Sequence, residues 1–597
     1  MSGIGGIVGY GASAIAASQV CDGMFEALKG RGADVHGTYI SEEACLIHSR
    51  YASLEEGKQP VRVAIGSKAY VLVFDRELYN ADELRKELGD MGYRFQDPGD
   101  AAIVLHGYMA WGVSCVEHFN GVFAFALWDG QQLFMARDRL GLRPLFYATG
   151  SHGLVFASTI KTILAHPQIR AVLSMEGAAE IILLGPGKTP GSGVFKGIHE
   201  LEPGKYATYS TGKITTTTYW QLKARPHEDS FAETTANIRA ILSDAIKRQS
   251  PKKTRSAILL SGGLDSSAVA ALSKSRESFS VDYVGNDKHF TASDLQPEDD
   301  GEYIKRMVNF LGLKHRRVLL GSDELTDTLA EAANVRGWPG MADIDASLLL
   351  FLRKVREQVP IALSGEGADE IFGGYPWYQN DDDLFAKTFP WSQGVAFREK
   401  FLTPELARAI NSPKEYVNSR FQKAIDTAET LYDDDPRESR LRQMFMLNLY
   451  WFLQTLASRN DSMAAAAGLA VRAPFLDYRL VEYLYNVPWD FKNHKDREKG
   501  LLRESLKGLM PESVLWRKKS PFPKTHNPAY LNRVKDMLNN IGHNAPIFSL
   551  VSRRSLGALL EEEPTSNWYG QLMAYPQTIA YFLQVNSWMK DFAVTIE

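Results

Sequence analysis

The residues best suited to do chemistry in this chain form the run Ser261-Gly262-Gly263-Leu264-Asp265-Ser266-Ser267. An apolar run at 256–260 precedes them and a helical pattern follows, so they lie at a strand-to-helix turn. Two glycines let backbone amides approach an anion, and the start of the helix directs partial positive charge at it. Asp265 can hold a hydrated Mg²⁺ beside phosphates. Because the lysine of GxxxxGK[ST] is missing, the run predicts a phosphate-binding loop of a different kind.

A second run, Ser364–Tyr375, also follows a buried apolar strand. It contains four glycines and the three carboxylates of Glu366, Asp369 and Glu370. Carboxylates directly after a buried strand are costly unless a metal or a substrate uses them. The two runs together predict a site for phosphate groups and a divalent cation.

The elements that must position these loops change character along the chain. Residues 1–222 predict short strands with two helices between them, which is an α+β pattern. A polar stretch with a proline at 223–229 predicts a linker. Residues 230–597 predict a helix, an α/β parallel sheet that carries both loops, and a helical C-terminal part from about residue 401.

The composition excludes several classes of protein. The 597 residues carry a formal net charge of −4, which gives no electrostatic reason to expect nucleic acid as a partner. No stretch approaches the roughly 18 apolar residues that a membrane-spanning helix needs, and no secretory signal is evident. The three cysteines, Cys21, Cys45 and Cys115, form no CxxC pair, so neither a disulfide framework nor a zinc site is expected. We therefore expect a cytoplasmic protein without a membrane or nucleic-acid partner.

The two loops resemble the ATP-dependent synthetase domain of the asparagine synthetase family. The resemblance continues in Arg459-Asn460-Asp461-Ser462-Met463, in Arg472-Ala473-Pro474-Phe475-Leu476-Asp477 and in Trp516-Arg517-Lys518-Lys519-Ser520. Residues 1–222 resemble the family's glutaminase domain through GIGGIVGY, FNGVFAFALWD and ARDRLGLRPLFY. The resemblance implies an N-terminal-nucleophile-type β-sandwich domain followed by an ATP-pyrophosphatase domain.

The resemblance also implies roles for residues at the matching positions. ATP and Mg²⁺ are the implied cofactors, with Asp265 and Asp369 on the metal. Glu366 is the implied base or amine-orienting group, and Lys519 is implied to stabilise charge on the phosphate and on the tetrahedral intermediate. The remaining implied nucleotide contacts, beyond the first loop, are Leu259, Val281, Ser364 and Gly365.

The N-terminal part departs from the family pattern at two points. Active family members carry a cysteine directly after the initiator methionine, whereas this chain has Ser2. The family's Asn-Gly-Glu segment, which binds glutamine and the oxyanion, is replaced by Asp75-Arg76-Glu77. We therefore expect a degenerate glutaminase site in which Arg50, Glu77 and Asp100 form a structural set of ion pairs.

Three functional hypotheses follow. The preferred one is a lasso-peptide macrolactam synthetase, or cyclase. It would adenylate an Asp or Glu side chain of a precursor peptide and join it to the peptide's N-terminal amine, and small residues in Met341–Ser347 and Gly468–Arg472 would make room for a bulky acceptor. A leader-recognition protein and a leader peptidase would then be its partners. The second hypothesis is an asparagine synthetase-type enzyme that uses free aspartate and ammonia. The third is a binding protein without activity, against which the complete ATP motifs argue.

Overall fold

The structure, a computed structural model, describes residues 2–10, 14–54, 57–66, 68–290, 298–570 and 573–597. The chain divides into two compact units. The N-terminal unit comprises Met1–Val172, Thr189–Gln221 and Asn460–Ala470. The C-terminal unit comprises Leu173–Lys188, Leu222–Arg459 and Val471–Glu597.

Two six-stranded antiparallel sheets form the N-terminal unit. The first sheet contains, in spatial order, Ile198–Glu200, Phe146–Gly150, Gly153–Ala157, Ser2–Val8, Ala44–Arg50 and Val35–Ile40. The second sheet contains Lys213–Thr218, Lys205–Ser210, Leu133–Arg137, Gly121–Trp128, Lys68–Leu78 and Val61–Ile65. Short strands dominate this unit, as the sequence predicts.

The core of this unit lies between the two sheets, where Ile4, Val73 and Phe156 belong to one buried cluster. A second cluster covers the outer face of the second sheet, and there Leu88 and Leu105 of two helices pack with the strand residue Phe125. The arrangement is the predicted β-sandwich with helices. The helices of this unit that have five or more residues are Ala14–Leu28, Ala81–Asp90, Asp100–Trp111 and Ile160–Leu164.

The structure corrects the expectation for the cysteines. Cys21, on the helix Ala14–Leu28, and Cys45, on the strand Ala44–Arg50, form a disulfide with their Cα atoms 6.9 Å apart. The pair is 24 residues apart in sequence and is brought together by packing of the helix against the strand, which no local spacing rule can show. Cys115 is free and buried, and burial raises the pKa of its thiol.

A five-stranded sheet forms the centre of the C-terminal unit. Its spatial order is Lys314–Leu320, Glu277–Tyr283, Ser256–Leu259, Ile361–Leu363 and Ala470–Arg472 (whose first residue is assigned to the N-terminal unit). The first four strands pair in parallel. The helix that precedes the sheet, Phe231–Gln249, begins with a capping box in which Ser230 Oγ accepts a hydrogen bond from Glu233 N, and the Glu233 carboxylate accepts one from Ser230 N. The loops Ser261–Ser267 and Ser364–Tyr375 follow the carboxyl ends of two adjacent parallel strands, where open α/β sheets bind ligands.

The rest of the C-terminal unit is mainly helical, as predicted. Its helices of six or more residues are Met175–Leu183, Phe231–Gln249, Leu264–Leu272, Gly301–Leu311, Ser322–Arg336, Asp343–Arg356, Pro404–Ile410, Pro413–Ile425, Pro436–Leu447, Leu453–Ala467 (whose residues from Asn460 onward belong to the N-terminal unit), Tyr478–Asn486, Gly500–Ser505, Pro528–Asn539, Arg553–Glu561 and Tyr575–Asp591. Within the described ranges, none of the helices combines the length and the apolar character needed to cross a membrane.

Candidate active site

The first loop folds back on itself through its serines. Ser266 Oγ accepts a 3.1 Å hydrogen bond from Ser261 N and lies 3.0 Å from Ser261 Oγ. Gly262 has a φ of +71°, a left-handed conformation that favours glycine. Gly263 precedes the helix Leu264–Leu272, so the amides at the start of this helix face the loop. Ser267 Oγ is buried without a hydrogen-bond partner. The geometry is that of a cradle for an anion.

The second loop lies directly against the first. A Cβ atom on Gly365 would lie 2.6 Å from Ser266 N and 2.7 Å from the Asp265 carbonyl carbon, so only glycine permits this approach. Glu366 N donates a 3.2 Å hydrogen bond to Ser364 Oγ, which closes the turn. The neighbouring strands place the other expected nucleotide contacts, because Leu259 ends one strand and Val281 lies half-buried in the next.

The two predicted metal ligands meet at a lysine that the sequence did not single out. Lys499 Nζ donates to both carboxylate oxygens of Asp265 at 2.8 Å and to Asp369 Oδ1 at 2.8 Å. The ammonium of Lys519 forms an ion pair with Asp369 Oδ2. Burial alone would raise the pKa of Asp369, but Lys499 and Lys519 outweigh it and hold that pKa well below its usual range.

The donor set suits Mg²⁺ that is shared with phosphates. Asp265 and Asp369 both contact the ammonium group of Lys499, so their carboxylates are close enough to hold one metal ion. Among the described residues there is no group of three or more His, Cys, Asp or Glu side chains that could hold a metal. Mg²⁺ commonly uses one or two carboxylates together with substrate phosphates, so two carboxylates beside a phosphate loop fit it.

Glu366 is held by an arginine of the next predicted motif. Arg459 Nη2 donates a 3.2 Å hydrogen bond to Glu366 Oε1, and the guanidinium lies 5.4 Å from the centre of the Phe522 ring. The Glu366 side chain remains 31 % exposed, whereas that of Arg459 is 5 % exposed. An oriented and accessible carboxylate can accept a proton from an attacking amine.

Glu370, the third carboxylate of the second loop, is buried inside the unit. Tyr375 Oη donates a 2.5 Å hydrogen bond to Glu370 Oε1, and the Tyr375 ring lies 4.9 Å from Lys519 Nζ. Burial first, and then the charge of Asp369, raises the pKa of Glu370 to about 7. Glu370 therefore supports Tyr375 and, through its ring, Lys519.

The segment expected to widen the acceptor pocket is tightly packed. Met341, Ala342 and Asp345 are fully buried. Asp345 Oδ2 accepts a 3.3 Å hydrogen bond from Arg336, and Ser347 Oγ lies 2.7 Å from Tyr283 Oη. The segment is buried and these polar side chains pair within the unit, which gives no support to the expected room for a bulky acceptor.

In the N-terminal unit, Ser2 belongs to a buried network of charges. Ser2 Oγ donates a 2.7 Å hydrogen bond to Asp75 Oδ1, and Arg31 donates to Asp75 Oδ2 at 3.1 Å. Arg31 and Arg143 both bond Asp461, each with a contact of 2.5 Å. Burial alone would raise the pKa of Asp461, but the two arginines hold it below its usual value. The network contains two guanidinium groups and two carboxylates, so its charges balance.

The other residues of the expected degenerate site lie in the same unit. Arg76 has a φ of +88° and donates to Glu77 Oε1 at 2.8 Å. Arg50 donates to the Gly57 carbonyl at 2.7 Å, and Asp100 accepts from Leu78 N at 2.8 Å. That these charges serve structure rather than glutamine binding stays a prediction.

The comparisons with known proteins decide the family. The asparagine synthase family model matches residues 237–590, and the glutamine amidotransferase domain model matches residues 1–220. The chain belongs to the asparagine synthase family. As a member it is an ATP-dependent ligase that forms a carbon–nitrogen bond and AMP.

Several relatives of this asparagine synthase family member are named asparagine synthetases. It is 40 % identical to asparagine synthetase [glutamine-hydrolyzing] 3 of Bacillus subtilis, with 100 % of both chains covered. It is 26 % identical to asparagine synthetase [glutamine-hydrolyzing] 1 of the same organism, over 90 % of this chain and 89 % of the relative. Asparagine synthetase B [glutamine-hydrolyzing] of Escherichia coli is 26 % identical, over 85 % of this chain and 80 % of the relative. These names favour the second hypothesis over the peptide cyclase.

Proposed function

We propose that this protein makes asparagine from free aspartate and ammonia in an ATP-dependent reaction. The observation that carries the proposal is the 40 % identity over the whole chain to a relative named as an asparagine synthetase. The site supports it, because the phosphate cradle, the Asp265–Asp369 pair and the Glu366–Arg459 pair all lie in the C-terminal unit.

The proposed chemistry has two steps. An oxygen of the aspartate side-chain carboxylate attacks the α-phosphorus of ATP, and the bond to the β-phosphate oxygen breaks to release pyrophosphate. The nitrogen of ammonia then attacks the acyl carbon, and the bond from this carbon to the AMP oxygen breaks. Glu366 accepts the proton that the nitrogen loses, and Lys519 stabilises the negative charge that develops on the phosphate. Bound Mg²⁺ would supply further neutralisation of phosphate charge, held by Asp265 and Asp369.

We further propose that glutamine is not the source of the ammonia. Asp75 places a carboxylate within hydrogen-bond reach of Ser2, the position of the nucleophile in active family members. Because Arg31 neutralises that carboxylate, it is a weak base for a serine hydroxyl. The ionised Asp75 carboxylate also has only acceptor oxygens, so it offers no hydrogen-bond donor to an oxyanion that forms beside Ser2. Both effects act against hydrolysis of glutamine.

An assay of the purified full chain tests the proposal. With ATP, Mg²⁺, aspartate and ammonium chloride, we expect AMP, pyrophosphate and asparagine in equal amounts. With glutamine in place of ammonium, we expect neither glutamate nor asparagine. Formation of ADP instead of AMP, or failure to release pyrophosphate with aspartate, would overturn the proposal. Pyrophosphate release that depends on a peptide with a free N-terminus and an internal Asp or Glu would favour the peptide cyclase instead.

A further inference from the structure

The ammonium group of Lys499 lies between the two predicted metal ligands. Its Nζ atom makes three contacts of 2.8 Å, two to Asp265 and one to Asp369. The Lys499 side chain is 3 % exposed, so bulk water does not compete for it. Lys499 is therefore a charged group at the place between the carboxylates.

The surrounding chain holds Lys499 in this place. Its backbone has a φ of +55°, a conformation that is costly for a residue with a side chain. A Cβ atom on Gly374 would lie 2.1 Å from Asp369 Oδ1 and 3.0 Å from Lys499 Cδ, so the lysine stem packs in a space that only glycine leaves open. Glu498 accepts hydrogen bonds from Arg503 at 2.8 Å and from Lys519 N at 3.3 Å. One short segment thus positions both lysines.

The charges of this cluster balance without a metal ion. Two carboxylates, Asp265 and Asp369, face two ammonium groups, Lys499 and Lys519. A divalent cation that binds both carboxylates must move the Lys499 ammonium away from them. A buried ammonium without an anionic partner is strongly unfavourable. A cation that arrives on a triphosphate brings negative oxygens, and these can take over the Lys499 ammonium.

We propose that Lys499 makes metal binding depend on the nucleotide. Its ammonium group lies between Asp265 and Asp369 and keeps a free divalent ion away from them until the phosphate oxygens of a triphosphate bind this ammonium group. The inference rests on the proposed function in taking ATP as the ligand of this site. It adds an order of events: the metal enters with the nucleotide and not before it. By linkage, the nucleotide and the metal then raise each other's affinity by the same factor.

The parent protein provides the first test. Mn²⁺ replaces Mg²⁺ as the probe, because electron paramagnetic resonance reports free Mn²⁺ directly, and α,β-methylene-ATP replaces ATP because it is not cleaved at the α-phosphorus. We expect the full chain to bind Mn²⁺ at least about tenfold more tightly with the analogue than without it, after correction for Mn²⁺ bound to the analogue in solution. Equal Mn²⁺ affinity in the two conditions would overturn the inference.

Variants supply the second test. Lys499→Met removes the internal cation, and we expect it to bind Mn²⁺ without nucleotide about tenfold more tightly than the parent does. Lys499→Arg keeps the charge and is expected to bind free Mn²⁺ as weakly as the parent. Lys495→Met, an exposed lysine of the same segment, is the matched control and should leave the affinity unchanged. A folded Lys499→Met with no gain in Mn²⁺ affinity would overturn the inference, and the parent experiment stands if this variant does not fold.

Direct titration of the analogue separates the two proposals. If the parent does not bind α,β-methylene-ATP at all, the proposed function fails. If it binds the analogue but takes up Mn²⁺ equally well without it, the proposed function survives and the role of Lys499 fails.

Discussion

Ser2 Oγ donates a 2.7 Å hydrogen bond to Asp75 Oδ1 in the interior of the N-terminal unit. Both residues are fully buried, and the other oxygen of the carboxylate pairs with Arg31. The position at which a nucleophile would act thus belongs to a balanced charge network. This relationship makes the N-terminal unit the clearest place to test how the chain departs from the family pattern.

Restoring the family residues in this unit should restore glutamine hydrolysis. We expect Ser2→Cys alone to stay inactive, because the Asp75 carboxylate still offers no hydrogen-bond donor to the oxyanion. The triple change Ser2→Cys, Asp75→Asn and Arg76→Gly should release glutamate at least about a hundredfold faster than the single change. The φ of +88° at Arg76 suits glycine, so this position accepts the change without backbone strain. An inert but folded triple variant, with its N-terminus verified by mass spectrometry, would contradict this.

Glu366 should act in the second chemical step and not in the first. We expect Glu366→Gln to slow asparagine formation by about 10² to 10⁴. Exchange of labelled pyrophosphate into ATP in the presence of aspartate, which reports the first step alone, should remain close to that of the parent. Glu405→Gln is the control, since Glu405 is an exposed partner of Arg408. Equal losses in both assays would show that Glu366 is needed before ammonia attacks.

The close approach of the two loops predicts that a methyl group added at Gly365 will weaken nucleotide binding. Gly365→Ala would place Cβ 2.6 Å from Ser266 N, so the loops must separate. We expect nucleotide affinity to fall at least about tenfold, and the unfolding temperature to fall as well because the clash is with backbone atoms. Gly557→Ala is the matched control, because its Cβ meets nothing within 4 Å on the helix Arg553–Glu561, and it should stabilise the protein by up to about 1 kcal/mol. Unchanged nucleotide affinity in Gly365→Ala would argue against the cradle.

A fall in pH should lower the free energy of unfolding because of His48. Burial, followed by the charge of Arg50, lowers the pKa of His48 to about 3. Between about pH 6.5 and pH 3 the unfolded chain binds a proton that the folded chain does not. The free energy of unfolding should therefore fall as pH falls through this window, by up to about 1.4 kcal/mol per pH unit from His48. Above about pH 6.5, His48 should add no further pH dependence.

Urea unfolding at pH 7 and at pH 5 checks this prediction. His48→Gln should show a smaller loss of stability between the two pH values than the parent. His36→Gln, at an exposed position of the neighbouring strand Val35–Ile40, should lose as much as the parent. An identical pH dependence in His48→Gln and the parent would contradict the expected role of His48.

How much the sequence predicts depends on the range of the interactions involved. The strand-to-helix turn at Gly262 and Gly263 and the acidic loop around Asp369 were readable, because glycines, carboxylates and apolar periodicity are local signals. The peptide-cyclase hypothesis rested on substitutions whose side-chain directions the sequence does not contain. The structure shows Asp345 of one such segment buried against Arg336, and the names of the relatives favour the asparagine synthetase hypothesis instead.

The sequence alone was enough to predict the strands, the helices and the two loops that carry the phosphate and metal chemistry. Only the tertiary structure decided that Lys499 reaches Asp265 across 234 residues, that Arg31 and Arg143 share Asp461, and that Cys21 meets Cys45. The physical reason is that such pairs depend on where packing brings distant segments together. A lysine or an arginine at the sequence level looks the same whether it lies in water or between two buried carboxylates.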